Sequence, residues 1–426
     1  MDNELYEKYI ELLLDELKPA MGCTEPIALS YVSAKVRSVL GTLPIKTRLE
    51  VCGNIIKNVK SVTVPQTNGL KGIETAIAAG YFANNADNGL EVLSSLKPSQ
   101  LGELKEYLDM KNIEIIPSTK PYKFYIDITA TDGKNTARVV VVNSHTNIVS
   151  IEYNDEVIYS LKKEVEERRN HNFDLLNVEA IIDFANNVDL TPLRDVLNKQ
   201  ISYNLAIANE GLKNNYGANI GKVLLQTYGD DVNIKARAYA AAASDARMSG
   251  CALPVMIISG SGNQGITASL PVYIFAKHWN KSEDEMLRAL IVSDLVTLLQ
   301  KRGIGRLSAF CGATVAGIGA AAGVAYLDDG RYKEIAHTVV NALGIISGMI
   351  CDGAKASCAA KISAAIDSGL FGYYMYKNNQ QFRSGDGIIT KGVDLTIENV
   401  GKMARDGMGK TDEEILKIMV GNGCVD

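Results

Sequence analysis

Between Leu307 and Leu327 the chain carries no charged residue for 21 consecutive positions. That is about the length of a bilayer-spanning helix, so this stretch separates two kinds of protein. Its residues are mostly Ala and Gly with Ser, Thr and Cys, which insert poorly beside Leu, Ile and Phe. The other solution is a helix buried on every side, whose small side chains let its neighbours come close. Glycine usage favours that solution: the first 209 residues hold 9 of the 37 glycines and the remaining 217 hold 28. A crowded, helical C-terminal half is expected.

The hydrophobic period changes along the chain. Thr47–Val64 is rich in β-branched residues, and Lys123–Thr131 alternates as a half-buried strand does. Asp132-Gly133-Lys134 is a turn leading into Ala137–Val142, so the two runs predict a β-hairpin. Gly69–Asn85, between them, is Ala-rich and reads as helix. Beyond about residue 172, helical patterns cover Val178–Asn187, Thr191–Gly211, Lys235–Met248, Ser282–Lys301, Ala309–Leu327, Tyr332–Met349 and Ala354–Ser368. Ser282 and Glu285 form an S-x-x-E capping box. The expected class is α+β, with a small domain over 42–170 built on a mixed or antiparallel sheet. A larger all-α, Gly/Ala-rich domain is expected over 171–426. Residues 1–41 are expected as a helical segment packed on the larger domain. At 426 residues, each part is long enough to bury its own core.

Net charge is −5, and no stretch gathers Lys and Arg with interleaved aromatics, so nucleic acid is not an expected partner. The run Lys162–Arg169 alternates in sign and reads as a solvated helix face. The N-terminus reads as an amphipathic helix, not an export signal, so a cytoplasmic location is expected and a membrane is not an expected partner. Seven cysteines in a reducing compartment serve as core fillers, nucleophiles or metal ligands, not as a disulfide framework. With only four histidines, any metal here is expected to lean on sulfur.

Three segments carry chemistry. In Pro19–Pro26 (PAMGCTEP), Cys23 sits at a turn or helix start, where backbone N–H groups stabilise a thiolate; the alternative is a small residue at a kink. Cys311 in AFCGATVAG, with Cys351 and Cys358 in GMICDGAKASCAAK, are flanked by Gly and Ala, which leaves room for a bulky cluster; scattered buried thiols are the plainer reading. In Ile258–Ile266 (ISGSGNQGI), the small residues Ser259, Ser261, Gly262, Asn263 and Gln264 can aim N–H and hydroxyl groups at a carboxylate, or simply make a turn. Lys361 and Lys355 beside the cysteines, then His145 at a strand end, are the candidate proton acceptors. A partly desolvated lysine is expected to have a lowered pKa.

Taken together, PAMGCTEP, GNIIKNVKSVTVP, GLKGIE, HTNI, SGSGNQG, FCGATVAGIGAAAG and GMICDGAKASCAAK resemble the L-cysteine desulfidase family, a relative of the α-chain of bacterial iron–sulfur L-serine dehydratases. The resemblance runs from residue 19 to residue 361. It implies a 4Fe–4S cluster held by three cysteines with one iron open, no PLP, and β-elimination of L-cysteine to pyruvate, ammonia and sulfide. Carried onto this chain, the ligands are Cys23, Cys311 and Cys351, with Cys358 as the alternate; the cluster is expected on the helical domain. In the dehydratases a C-terminal cysteine can occupy the open iron, which draws attention to Cys424 in GNGCVD. The implied substrate is L-cysteine, with L-serine the rival. The assembly considered is a homodimer. A PLP-dependent lyase and a non-catalytic cluster-based sensor are the competing classes.

Overall fold

The computed structural model describes residues 3–161, 171–305, 308–328 and 330–421. Lys162–Arg169 and Cys424 lie outside them.

The expected mixed or antiparallel sheet is a six-stranded mixed sheet in the order β3-β2-β4-β5-β6-β7. Its strands are β2 (Lys46–Val51), β3 (Ile113–Pro117), β4 (Tyr125–Thr131), β5 (Thr136–Val142), β6 (Ile148–Tyr153) and β7 (Glu156–Ser160). β2 and β3 run parallel, and every other pair is antiparallel. The β4–β5 hairpin closes with Thr131 opposite Thr136, where the Asp132 side chain caps the turn by accepting from the N–H groups of Lys134 and Asn135. Alternation along β4 turns Ile126, Ile128 and Ala130 into the core, while Asp127 on the opposite face pairs with Arg138 at 2.8 Å. The helices Thr24–Leu40 and Ile73–Ala83 pack on each other, and the first of them lies on β4 and β5.

The expected β-branched run Thr47–Val64 is strand only to Val51; Gly53–Val59 is a helix whose cap is Cys52. Tertiary packing overrides propensity here, because one side of this helix (Ile55, Ile56, Val59) completes the sheet's core while Leu416 from the C-terminal helix covers Gly53.

The rest is helical, as expected, except for one strand, β8 (Pro254–Ile257), which pairs antiparallel with β1 (Lys18–Met21). The uncharged stretch forms the helix Gly312–Asp328, buried among the helices Gly262–His278, Glu283–Ile304, Tyr332–Ile346 and Ser357–Lys377. Its glycines explain the crowding: a side-chain carbon at Gly317 would sit 2.6 Å from the backbone of Ala365. No helix of the described residues is long and apolar enough to cross a membrane. The capping box at Ser282 and Glu285 forms in both directions.

Two cores result, and they divide the N-terminal segment. Tyr9, Leu12, Leu13 and Leu17 of the first helix (Asn3–Glu16) and of the short link after it join the large helical core. The helix Thr24–Leu40 does not: Ile27, Leu29, Val32 and Val36 belong to the sheet's core, since its apolar side matches β4 and β5. Cys23 therefore stands at the seam between the two cores. The C-terminal helix Gly409–Gly421 also reaches across, setting Leu416 against the sheet domain.

Candidate active site

Each motif puts a side chain at that seam. Cys23 is the N-cap of the helix Thr24–Leu40, as a turn or helix start requires, and it is buried with Val62 and Met248, against which Ala354 and Cys358 pack. Its thiol donates to Glu25 Oε2 at 3.1 Å. Burial, then the neighbouring Glu25 carboxylate, push the Cys23 thiol well above its ordinary pKa; the Arg247 guanidinium works in the other direction.

The loop Ile258–Ile266 is a tight turn followed by a helix. Ile258 and Ser261 exchange backbone hydrogen bonds at 3.0 and 3.2 Å, Ser259 and Gly260 take left-handed φ values of 51° and 73°, and a helix starts at Gly262. No side chain caps its first turn, so the N–H groups there retain their capacity for an anion. The Thr24 hydroxyl donates to the Gly260 carbonyl at 3.0 Å, which joins this loop to the Cys23 motif. Gln264 lies against Gly312 beside Cys311, its Oε1 buried with no hydrogen-bond partner. His145, in the turn between β5 and β6, reaches the same loop: a side-chain carbon on Gly260 would come within 3.3 Å of His145 Cε1. Its ring meets Phe124 edge-on at 4.8 Å.

Cys311 and Cys351 are brought together by a short antiparallel bridge between Phe310 and Ile350, with Cys311 N–H donating to Met349 and Cys351 N–H to Ala309. The two thiols lie close enough to shift each other's titration: the Cys311 thiol holds the Cys351 pKa below its ordinary value against the effect of burial, and the charges of Lys57 and Lys361 add to it. The same interaction and burial raise Cys311. Cys358 lies close enough for its charge to be felt by both, and burial raises its thiol. The helix expected over Ala354–Ser368 begins at Ser357, so Cys358 is in its first turn and Cys351 precedes it in a loop. Cys52 and Cys251 are buried elsewhere, against Tyr125 and Tyr216.

The lysines behave differently from expectation. Lys361 and Lys355 both pair with the Asp352 carboxylate, and Lys361 also donates to the Ile350 carbonyl at 2.9 Å. Burial alone would lower the Lys361 pKa, but the hydrogen bond and charge of Asp352 outweigh it and the net shift is upward. Lys361 is thus a held cation at neutral pH.

Four residues missed in the sequence belong to this region. Lys57 is 3% exposed in its side chain, bonded to Asp412 at 2.5 Å, and acts on Cys351. Asp352 binds both lysines. Arg247, 2% exposed, donates from Nη1 to Asn263 Oδ1 at 3.1 Å. Glu25, 8% exposed, accepts from Cys23, Thr24 and Asn58. Glu25, Lys57 and Asp352 had a sequence signal in their places in PAMGCTEP, GNIIKNVKSVTVP and GMICDGAKASCAAK, whereas Arg247 had none. A cavity of about 230 Å³ opens beside the cysteines, lined by Lys57, Asp352, Ala354 and Lys355 and roofed by Ile415 and Met419 of the C-terminal helix.

Among the described residues, no group of three or more His, Cys, Asp or Glu side chains is spaced for a single metal ion. The donor set nevertheless fits a sulfur-ligated cluster. Two thiols are near enough to shift each other's titration, a third acts on them electrostatically, a fourth lines the same seam, and Lys57, Lys355 and Lys361 surround them with positive charge that suits thiolates. A multi-iron cube also holds its thiolates farther apart than one ion does.

The family described as serine dehydratase alpha chain matches residues 62–417. The UPF0597 protein of Desulfitobacterium hafniense is 52% identical over 98% of this chain and 97% of its own length. The UPF0597 proteins of Finegoldia magna and Treponema denticola are 47% and 42% identical, covering 97% and 99% of this chain and 99% of their own lengths.

Proposed function

The chain belongs to the serine dehydratase alpha chain family, and from that premise we propose that it is a cytoplasmic carbon–sulfur lyase that eliminates the β-substituent of L-cysteine, giving pyruvate, ammonia and sulfide. The observation that carries this reading is the meeting of the Cys311–Cys351 thiol pair with the Ser259–Gln264 loop and the Cys23 motif at one seam. Sulfur donors gathered beside an anion-binding helix start suit an amino acid whose leaving group is a thiolate.

Cys311 and Cys351 would hold a 4Fe–4S cluster, with Cys23 as the third ligand. When bound, such a cluster supplies a Lewis-acidic iron for the departing sulfur or oxygen. Cys358 is a second reading for the third position, favoured by its electrostatic contact with the thiol pair. The chain's own residues do the rest. The first-turn N–H groups at Gly262, Asn263 and Gln264 receive the substrate carboxylate. His145, pressed against Gly260, is placed to take the α-proton, whereas Lys355 and Lys361, both bound to Asp352, are engaged as counter-charges. Burial of Gln264 and Arg247 excludes water from the carboxylate side.

L-Serine is the rival substrate, because the same parts would release hydroxide. Anaerobic loading with iron and sulfide, followed by a visible spectrum, an iron count and parallel pyruvate assays, tests the whole reading. Brown protein with about four irons and faster turnover of L-cysteine than of L-serine is the expected result. Protein that stays colourless and metal-free refutes it. A loaded protein that prefers L-serine moves the assignment to dehydratase, and one without turnover moves it to a sensor.

A further inference from the structure

Two opposite charges are buried at this seam without being matched to each other. Arg247 donates to one side chain among the described residues, the neutral Asn263, its Nε has no hydrogen-bond partner, and it makes no ion pair among them. Glu25 accepts from three neutral donors, Cys23 at 3.1 Å, Thr24 at 3.1 Å and Asn58 at 3.2 Å, and likewise makes no ion pair. Arg and Glu are almost never this buried unless something pairs with them.

Both sit around the carboxylate loop. A side-chain carbon on Gly262 would stand 2.8 Å from Arg247 Cζ and 2.6 Å from Val255, so glycine at that position is what lets the guanidinium lie under the helix start. Glu25 follows Thr24, whose hydroxyl holds the Gly260 carbonyl of the same loop. Cys23 lies within the field of each. Arg247 therefore joins the first-turn N–H groups in facing one anion, while Glu25 presents an unmatched carboxylate on the side of the cysteines.

We propose that Arg247 and Glu25 form a zwitterion clamp, Arg247 binding the α-carboxylate and Glu25 the α-ammonium of a free L-amino acid. The inference deepens the elimination reading and rests on it for the identity of the site. It also restricts the substrate class: 2-hydroxy acids lack the ammonium, and amino-acid amides or peptides extended at the carboxyl lack the carboxylate.

Calorimetric binding to the full chain tests the clamp without turnover. The probes are L-alanine, which has no leaving group, L-alaninamide, which lacks the carboxylate, and propionate, which lacks the ammonium. The wild type is expected to bind L-alanine about 10–100-fold more tightly than either analogue, the range for one charged hydrogen-bonding partner. Arg247→Gln should abolish the preference for L-alanine over L-alaninamide and keep the preference over propionate; Glu25→Gln should do the reverse. Equal affinity of the wild type for all three probes overturns the proposal, as does a variant that weakens all three by one common factor. The wild-type comparison needs no variant to fold. If the wild type discriminates among the probes but eliminates neither cysteine nor serine, the clamp stands and the elimination reading falls.

Discussion

Gly353→Ala addresses the loop that presents Cys351. Gly353 has φ of +96°, a conformation that costs an L-residue about 1–3 kcal/mol. The added carbon would also overlap the Lys57 carbonyl oxygen and stand 3.0 Å from the Lys57 carbonyl carbon and 3.3 Å from its Cγ. The carbonyl belongs to the helix Gly53–Val59, wedged between the sheet's core and the C-terminal helix, so it has little freedom to withdraw. Overpacking of this kind costs about 1–3 kcal/mol more, for a sum of about 2–6 kcal/mol against a usual stability of about 5–15 kcal/mol. The loop can relieve part of this by moving away, and that movement takes Cys351 from Cys311. Both routes are measurable. Denaturant unfolding should show a loss of about 2 kcal/mol or more, or, where the loop yields instead, anaerobic iron uptake should fall at preserved stability. A variant within about 0.5 kcal/mol of wild type that still takes up its full iron would refute the reasoning, because neither the strained φ nor the Lys57 contact would then constrain the loop.

Single Cys→Ser changes at 23, 311, 351 and 358, read by iron content and visible spectrum, should abolish cluster uptake at 311, 351 and 23; a full cluster in Cys23→Ser would transfer the third ligand to Cys358. His145→Gln should lower kcat by about 10²–10⁴-fold, the usual weight of a positioned proton acceptor, whereas Lys361→Arg, which keeps the charge on Asp352 but cannot act as a base, should stay within tenfold; the opposite pattern in steady-state assays returns the role to Lys361. Asp294 is fully buried with Oδ1 held by Gln200 at 3.0 Å, and burial raises its pKa to about 7. The folded state therefore keeps a proton that the unfolded chain releases near pH 4, so this contribution is complete below about pH 4 and is lost as pH rises to about 7, by up to about 4 kcal/mol. Unfolding measured across that window should decline less steeply in Asp294→Asn than in wild type, and parallel slopes would contradict the assignment.

What the sequence disclosed and what it hid follow from the range of the interactions involved. Elements whose stability is local were legible: the β4–β5 hairpin because Asp132 and Gly133 fix its turn, the helix from Glu283 because Ser282 and Glu285 cap each other, and the helix Gly312–Asp328 because only small residues tolerate its neighbours. The helix Gly53–Val59 was hidden because its β-branched content points to strand, and long-range packing in the sheet's core and under Leu416, more than 350 positions away, decides otherwise. The site divides in the same way. Cys23 could be placed at a helix start from its own neighbours, but nothing near Cys311 announces that Phe310 will pair with Ile350 and bring two cysteines side by side. For Lys361 the sign of the burial effect was right, and the outcome was reversed by Asp352, nine residues earlier in sequence. Arg247 left no trace at all, since a basic residue in the last turn of a helix ordinarily serves the helix's own carbonyls. Its burial depends on the missing side chain of Gly262. The charge pattern of this pocket is therefore specified jointly, by an arginine on one helix and a glycine on the next, and Gly262→Ala should displace the guanidinium as effectively as removing it, weakening L-alanine while sparing L-alaninamide in the same calorimetric comparison.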